Sequence, residues 1–221
     1  MKPSKMLNHV DHTLLAATAN WEEIQALCEE AIEYQTASVC IPPSYVSRVH
    51  EKYGDKINIC IAVGFPLGYS STEAKKMEIQ QGIKDGANEF DMVVNIGDVK
   101  NKDYHKVTEE IRELKEVAKE HILKVIIETC YLTEGEKVAM CNAVTEAGAD
   151  YIKTSTGFGT DGATLADIEL FKQHIGPDVK MKAAGGVKSI ADLEAFITAG
   201  CERVGTSSAV RLIKNQEVNG Y

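Results

Sequence analysis

The residue with the clearest chemical potential is Lys153, in the segment ADYIKTSTGFG. The start of this segment has the length and composition of a short β-strand. Side chains alternate between the two faces of a strand, so Lys153 faces away from Ile152. If the apolar face packs against helices, Lys153 points into the interior, where an ammonium group is costly to bury. A neutral lysine amine in such a place can attack a carbonyl and form a Schiff base.

A second lysine follows the same pattern one predicted strand later. In VKMKAAGG, apolar side chains alternate with Lys180 and Lys182, which therefore share the inward face. Two ammonium groups repel each other by about 4 kcal/mol at ~4 Å and an effective dielectric constant of ~20. This repulsion favours the neutral form of one amine, and a second cation is a known means of activating a Schiff-base lysine.

The segment EFDMVVN adds a carboxylate to this pair. The same alternation turns Phe90 and Met92 outward and Asp91 inward. A carboxylate beside the two lysines would pair with Lys182 and relay protons, directly or through a water molecule. It would also reduce the cost of burying the lysines. The alternative is a purely structural ion network made by the same three residues.

The elements that must bring these side chains together alternate between strands and helices along the chain. Seven runs have strand character and an eighth, at residues 9–14, is weaker; the seven cover residues 37–42, 57–64, 89–95, 123–128, 150–155, 179–184 and 203–207. Four hydroxyl–carboxylate pairs have the spacing of helix N-caps: Ser70 with Glu73, Thr133 with Glu136, Thr164 with Asp167, and Ser189 with Asp192. Three glycines have the position of helix C-terminal residues: Gly86, Gly148 and Gly200.

This alternation predicts an α/β fold with a parallel sheet. Eight units in 221 residues favour a closed (β/α)₈ TIM barrel, and a doubly wound open sheet is the alternative. The segments DGANEFD, EAGADYI and TAGCERVG repeat one helix-to-strand unit, as expected of a barrel. No linker interrupts the pattern, so we predict a single domain over residues 1–221 with a short polar tail near 214–221.

Two loops after the last two predicted strands have the composition of an anion site. Backbone N–H groups in such loops and at helix N-termini bind anions, and these loops form the common phosphate site of TIM barrels. Thr156 and Gly157, which follow Lys153, can add donors. The residues of the two loops are Gly185, Gly186, Ser207 and Ser208.

Charge and composition limit the binding partners and the cellular location that we expect. The formal net charge of −9 disfavours non-specific binding to nucleic acid or to anionic membranes. No apolar run approaches the ~18 residues of a membrane span, and the N-terminus lacks the apolar region of a signal peptide. Six cysteines without a C-x-x-C pair indicate reduced thiols rather than disulfides or a zinc site. We therefore expect a cytoplasmic protein.

Together these motifs resemble the 2-deoxyribose-5-phosphate aldolase family of class I aldolases, over essentially the whole chain. The most specific segments are YIKTSTGF, KMKAAGGV and EFDMVVNIG, supported by HVDHTLL, VCIPP, AVGFPLG, KVIIETCYL and VGTSS. The resemblance implies that Lys153 is the Schiff-base nucleophile and that Lys182 and Asp91 are its proton-transfer partners. The implied reaction is reversible cleavage of 2-deoxy-D-ribose 5-phosphate to D-glyceraldehyde 3-phosphate and acetaldehyde, with no cofactor.

The resemblance also assigns a phosphate site and a role for the last residue. Phe158 stands where some relatives carry a phosphate-binding lysine. Tyr221, on the polar tail, is similar to C-terminal tyrosines for which closure over the site and assistance in proton abstraction are proposed. The residues implied to hold the phosphate are Gly157, Gly185, Gly186, Ser207 and Ser208.

Other residues carry weaker expectations. We place Cys40 and Thr13 at the acetaldehyde end of the pocket, and Asp11 at the barrel mouth or capping a turn, among the substrate-contacting residues. His9 and His12 have a metal-like spacing, but no further ligands complete the set, so no metal is expected. The expected partners are a phosphorylated sugar and acetaldehyde, and a homodimer is an open expectation.

Two other functions fit part of the pattern. Another sugar-phosphate enzyme on the same fold, a different class I aldolase or an isomerase, would share the loops, although an isomerase would not need two inward lysines. A non-catalytic sugar-phosphate sensor would keep the loops but have no use for a reactive Lys153.

Overall fold

The computed structural model describes the backbone of residues 3–219 and the side chains of residues 5–215. Eight parallel strands close into one barrel in chain order, and β1 pairs with β8. The strands are β1 (Val10–Thr13), β2 (Ser38–Ile41), β3 (Ile59–Val63), β4 (Glu89–Val93), β5 (Ile122–Ile126), β6 (Tyr151–Lys153), β7 (Lys180–Ala184) and β8 (Arg203–Thr206). Every predicted strand is present, including the weaker first one, and the (β/α)₈ TIM barrel is confirmed.

Helices surround the barrel. They are α1 (Pro3–Met6), α2 (Trp21–Glu33), α3 (Val46–Tyr53), α4 (Thr72–Asp85), α5 (Ile96–Lys100), α6 (Tyr104–Ala118), α7 (Glu134–Glu146), α8 (Leu165–His174), α9 (Ile190–Ala199) and α10 (Ala209–Asn219). No helix in the described part of the chain is long and apolar enough to cross a membrane.

The strand alternation separates an apolar layer from a charged interior. On β4, Phe90 and Met92 are fully buried and belong to the apolar core between the barrel and the helices. Asp91, between them, is also fully buried but faces the inside of the barrel. Charged side chains therefore collect on the barrel axis, while apolar burial by the outer layer stabilises the fold.

Local capping chemistry fixes where several helices begin. Thr133, Thr164 and Ser189 accept the backbone N–H three residues later, as predicted. The prediction for α4 is wrong by one residue, because Ser71 rather than Ser70 accepts the N–H of Ala74. Ser70 and Ser71 are adjacent, so either could have been the N-cap residue, and the helix begins at Thr72. The predicted C-terminal glycines all have positive φ: Gly86, Gly148 and Gly200.

The end of the chain is more helical than predicted. Helix α10 continues to Asn219 and covers most of the segment 214–221 that we expected to be a polar tail. Lys214 Nζ donates to Glu30 Oε1 at 2.8 Å, which ties α10 to α2. Tyr221 lies outside the described residues.

Candidate active site

Two lysines stand side by side inside the barrel. Lys153 is the last residue of β6, and its register partner on β7 is Lys182. Both side chains point inward, as the alternation predicts, with 4% and 0% of their surface exposed. They differ in access, because Lys153 lines a cavity at the barrel mouth and Lys182 does not.

Asp91 joins the two lysines from across the barrel. Its Oδ2 atom accepts from Lys153 Nζ at 2.6 Å and from Lys182 Nζ at 2.6 Å. Burial alone would raise the pKa of Asp91, but three neighbouring ammonium groups, Lys124, Lys153 and Lys182, outweigh it and hold the pKa well below its usual range. The three predicted side chains therefore converge, and Asp91 is ionised at neutral pH.

A second layer of charges lies below this trio and was not predicted. Lys124 on β5 donates to Asp91 Oδ1 at 2.9 Å and approaches Glu89 Oε2 at 2.6 Å. Arg203 on β8 donates to both oxygens of Glu89 at 3.0 Å. The signal was present, since Lys124 lies between Leu123 and Val125 and the same alternation turns it inward.

Asp11 lies inside the barrel, which corrects its predicted position at the mouth. It is fully buried, and its Oδ1 atom accepts from Arg203 at 2.6 Å while Oδ2 accepts from Lys182 Nζ. Burial would raise the pKa of Asp11, but Lys182, Lys124 and Arg203 lower it below the ordinary value. Three cations offset its burial, and Asp11 pairs with Lys182 inside the barrel without lining the cavity.

Lys182 is consequently a firmly held cation. Burial alone would lower its pKa, but the carboxylates of Asp11 and Asp91 outweigh burial and raise the pKa well above the ordinary value. The whole cluster has four cationic and three carboxylate side chains; they are Lys124, Lys153, Lys182, Arg203, Asp11, Glu89 and Asp91.

A cavity of about 430 Å³ opens at the carboxyl ends of the strands, above Lys153. The loops that follow β1, β6, β7 and β8 form its walls, as expected for a TIM-barrel site. Among its described lining residues, Lys153 is the one cation, so N–H groups and hydroxyls must hold most of any bound anion. All the predicted loop residues line the cavity: Thr156, Gly157, Gly185, Gly186, Ser207 and Ser208.

Glycine is required where two of these loops meet. Gly185 and Gly186 have φ of 76° and 78°, a left-handed conformation that other residues rarely adopt. A side chain on Gly162 would lie 2.5 Å from the carbonyl carbon of Gly185. The loops after β6 and β7 therefore approach backbone to backbone at Gly185 and Gly186, which line the cavity.

The acetaldehyde-end residues are only partly placed as expected. Thr13 lines the cavity. Cys40 is 1% exposed and does not line it, which corrects its predicted position. The cavity opens on the side of β6, β7, β8 and β1, whereas Cys40 lies on β2, paired in register with Cys60. Cys60 Sγ donates to Asp91 Oδ1 at 3.1 Å.

One cluster among the described residues has metal-ligand geometry, and its surroundings do not suit a cation. Donor atoms of Cys40, Cys60 and Asp91 lie within 4.8 Å of one another. The Asp91 oxygens already accept from three ammonium groups, which would repel a metal ion. His12 Nε2 instead lies 3.0 Å from Glu30 Oε2 on α2, outside the barrel.

Known proteins are similar to this chain over its full length. Residues 5–206 match the model of the DeoC/LacD family aldolases. The chain is 68% identical over 221 residues to a deoxyribose-phosphate aldolase of Clostridium botulinum (strain Alaska E43), covering 100% of both. It is 57% identical to one from Clostridioides difficile (strain 630), covering 98% of this chain and 99% of the relative. A tetrameric deoxyribose phosphate aldolase from Aeropyrum pernix superimposes with a TM-score of 0.90 at 28% identity, covering 98% of this chain and 92% of that one.

Proposed function

We propose, from the premise that the chain belongs to the DeoC/LacD aldolase family, that it reversibly cleaves 2-deoxy-D-ribose 5-phosphate to D-glyceraldehyde 3-phosphate and acetaldehyde. The observation that carries the proposal is the position of one amine. Lys153 Nζ lies 2.6 Å from Asp91 Oδ2, and Lys153 lines a cavity walled by glycine and serine loops.

Lys153 is proposed to be the nucleophile because it is the cation with the fewest ion pairs. Attack on a carbonyl requires a neutral amine. The cluster has one more cation than carboxylates, so loss of one proton leaves it balanced. Among the described residues Lys153 pairs with Asp91 alone, whereas each of the other cations contacts at least two carboxylates; these cations are Lys124, Lys182 and Arg203.

Asp91 and Lys182 are proposed to move the protons. Asp91 Oδ2 contacts both amines at 2.6 Å, so a proton that the Lys182 ammonium group gives up during the reaction can pass through Asp91 to the groups at Lys153 and return by the same contacts. Addition of Lys153 to the substrate aldehyde gives a carbinolamine, and loss of water gives a protonated imine. A base removes the proton of the C3 hydroxyl, the C2–C3 bond breaks, and its electrons pass to the protonated imine; C3 leaves as the aldehyde of glyceraldehyde 3-phosphate, and C1 and C2 remain on Lys153 as an enamine. Protonation at carbon and hydrolysis then release acetaldehyde.

The phosphate is proposed to lie between the loops after β7 and β8. Peptide N–H groups at Gly185 and Gly186 and the start of α10 suit an anion. Ser208 N–H donates to Thr206 Oγ at 3.1 Å, which fixes the turn before α10. Lys153 then faces the aldehyde end of a substrate whose phosphate is held at the rim.

Trapping the imine tests the proposal. The protein is incubated with acetaldehyde and borohydride, and peptides are mapped by mass spectrometry for one added ethyl group. We expect the adduct at Lys153, its loss in Lys153→Leu, and its retention in Lys180→Leu, since Lys180 is exposed at the start of β7.

Other outcomes of the same experiment identify other functions. Absence of an adduct together with intact binding of inorganic phosphate would favour a sugar-phosphate sensor. An adduct formed with dihydroxyacetone but not with acetaldehyde would indicate a different class I aldolase.

The oligomeric state and the cellular location of the protein are also proposed. We propose a homodimer, and a relative that is tetrameric supports self-association in general. We also propose a cytoplasmic location, with support from six cysteines that are all unpaired. Sedimentation equilibrium measures the first, and cell fractionation measures the second.

A further inference from the structure

The backbone beside Lys153 is irregular at Glu128. Ile127 N–H donates to the Lys153 carbonyl at 3.1 Å, and Thr129 N–H donates to the Thr154 carbonyl at 2.9 Å. Between these two hydrogen bonds the chain after β5 advances by two residues, and the chain after β6 advances by one. Glu128 is therefore the extra residue of a β-bulge. Glu128 sits in the bulge with φ 54° and ψ 67°, a left-handed conformation that is uncommon for a residue with a side chain. Bulges at barrel rims re-aim side chains near active sites.

The bulge directs the Glu128 carboxylate onto the loop that follows Lys153. Its Oε1 atom accepts from the backbone N–H of Thr156 at 3.1 Å, and Oε2 accepts from the Thr156 hydroxyl at 2.5 Å. The same hydroxyl oxygen accepts from the N–H of Phe158 at 2.9 Å. One carboxylate therefore fixes a turn of three residues, 156–158.

No cation among the described residues forms an ion pair that would compensate for the burial of the Glu128 carboxylate. Glu128 is 2% exposed, and none of the salt bridges between described residues involves it. The loop also closes over it, since a side chain on Gly159 would lie 3.1 Å from Glu128 Cδ. A buried carboxylate without a cation and a left-handed backbone are both unfavourable, and such features persist where the local geometry has a function.

The turn that Glu128 holds forms part of the cavity wall. Thr156 and Gly157 both line the cavity with Lys153. Both donors of Thr156 are directed to Glu128, so Thr156 supports the turn and is not left to donate to a phosphate, contrary to the expectation from sequence. We propose that Glu128 is a positioning residue, which acts through Thr156 to hold the turn at 156–158 against the phosphate end of the cavity. This inference rests on the proposed phosphate position.

Glu128→Gln tests the carboxylate with little change in shape. An amide keeps one acceptor for the Thr156 N–H and loses the acceptor for its hydroxyl. We expect the KM for 2-deoxy-D-ribose 5-phosphate and the inhibition constant of inorganic phosphate to rise about tenfold, which corresponds to one hydrogen bond to a charged group. Cleavage of unphosphorylated 2-deoxy-D-ribose should decrease much less, because the cluster around Asp91 is not touched.

Glu136→Gln is the matched control. Glu136 also accepts from a threonine N–H, that of Thr133 at 2.7 Å, but it caps α7. This variant should lower the melting temperature. It should leave the ratio of the KM for 2-deoxy-D-ribose 5-phosphate to the KM for 2-deoxy-D-ribose as in the wild type.

Two further variants separate positioning from folding. Glu128→Gly suits the left-handed φ and removes the carboxylate, so it should fold and still show the raised KM for the phosphorylated substrate. Thr156→Val should reproduce the effect of Glu128→Gln, and the double variant should be no worse than Thr156→Val, because both remove the same contact.

The outcomes distinguish this inference from the proposed function. Equal losses on phosphorylated and unphosphorylated substrate, or a wild-type KM in Glu128→Gly, would overturn the role of Glu128 while imine trapping at Lys153 stays intact. Failure of wild-type imine trapping would instead overturn the proposed function itself.

Discussion

Lys153 Nζ and Asp91 Oδ2 lie 2.6 Å apart, although the two residues are separated by 62 positions in the chain. The same oxygen accepts from Lys182 Nζ. A single carboxylate oxygen thus links the amine that borders the cavity with the amine buried behind it. This contact makes the chemistry of Lys153 a property of the whole charged cluster.

Replacing Asp91 with Asn should impair both activity and stability. The variant leaves three buried ammonium groups without their shared carboxylate, and loss of one partner from a buried ion pair costs about 3–5 kcal/mol. We expect kcat to fall by about 100-fold or more, since a positioned proton-transfer group contributes that much. Steady-state kinetics and urea denaturation measure the two effects.

Asp98→Asn serves as the control for this variant. Asp98 pairs with Lys106 at 2.9 Å on the surface, where such a pair is worth less than about 1 kcal/mol. If Asp91→Asn unfolds no more easily than Asp98→Asn, the cluster does not stabilise the barrel as described.

Lys182→Leu should slow imine formation at Lys153. The substitution removes the second ammonium group on Asp91 Oδ2, which we propose exchanges protons with the reacting groups at Lys153. We expect the rate of borohydride trapping with acetaldehyde to fall by roughly 100-fold. Lys180→Leu, on the same strand face but exposed, should trap at the wild-type rate. Equal rates in both variants would contradict the proton-transfer role of Lys182.

Stability should be nearly constant between about pH 5 and 9. The pKa values of Asp91 and Asp11 are lowered by the neighbouring cations, so their stabilisation is present above the unfolded value near 3.9 and is lost as pH falls through the folded pKa. The pKa values of Lys182 and Lys124 are raised, so their stabilisation is present below about 10.4 and is lost as pH rises through the folded pKa. Urea denaturation at a series of pH values measures the free energy of unfolding. A maximum confined to one pH unit near neutrality would exclude this account.

Gly185→Ala should weaken phosphate binding. The residue has φ 76°, and an added Cβ would lie 3.1 Å from Gly162 Cα. The backbone penalty is roughly 1–2 kcal/mol, and relief of it would shift the loop that we propose holds the phosphate. Isothermal titration with inorganic phosphate should show about tenfold weaker binding. Gly135→Ala, in α7 with no atom within 4 Å of the new Cβ, should bind phosphate as the wild type does.

Deleting Tyr221 tests the role in proton abstraction that the family resemblance implies for this residue. If the phenol assists abstraction of a methyl proton, deuterium exchange into acetaldehyde should slow in the truncated protein, while imine trapping at Lys153 continues at the wild-type rate. Proton NMR in deuterated water follows the exchange. An unchanged exchange rate would remove Tyr221 from the mechanism.

Local regularities account for what could be predicted. The period-two alternation of a strand is a property of adjacent residues, so the inward positions of Lys153, Lys182 and Asp91 followed from the sequence before any contact was known. Hydroxyl N-caps and positive-φ glycines are local as well, and they located helix ends to within a residue. The order of eight strand–helix units favoured a closed barrel over a doubly wound open sheet, and the structure confirms the barrel.

Tertiary structure alone decided which charges meet and which residues the cavity reaches. Asp11 and Lys182 are 171 positions apart, and only barrel closure between β1 and β8 brings them together. Strand register and barrel closure likewise determine the depth of Cys40 and the ion pairs that Lys124 and Arg203 make in the cluster, although the alternation alone turns Lys124 inward. The bulge at Glu128 depends on the register between the chain after β5 and the chain after β6. These contacts join distant segments, and a pattern of neighbouring residues carries no record of which distant segment will lie opposite.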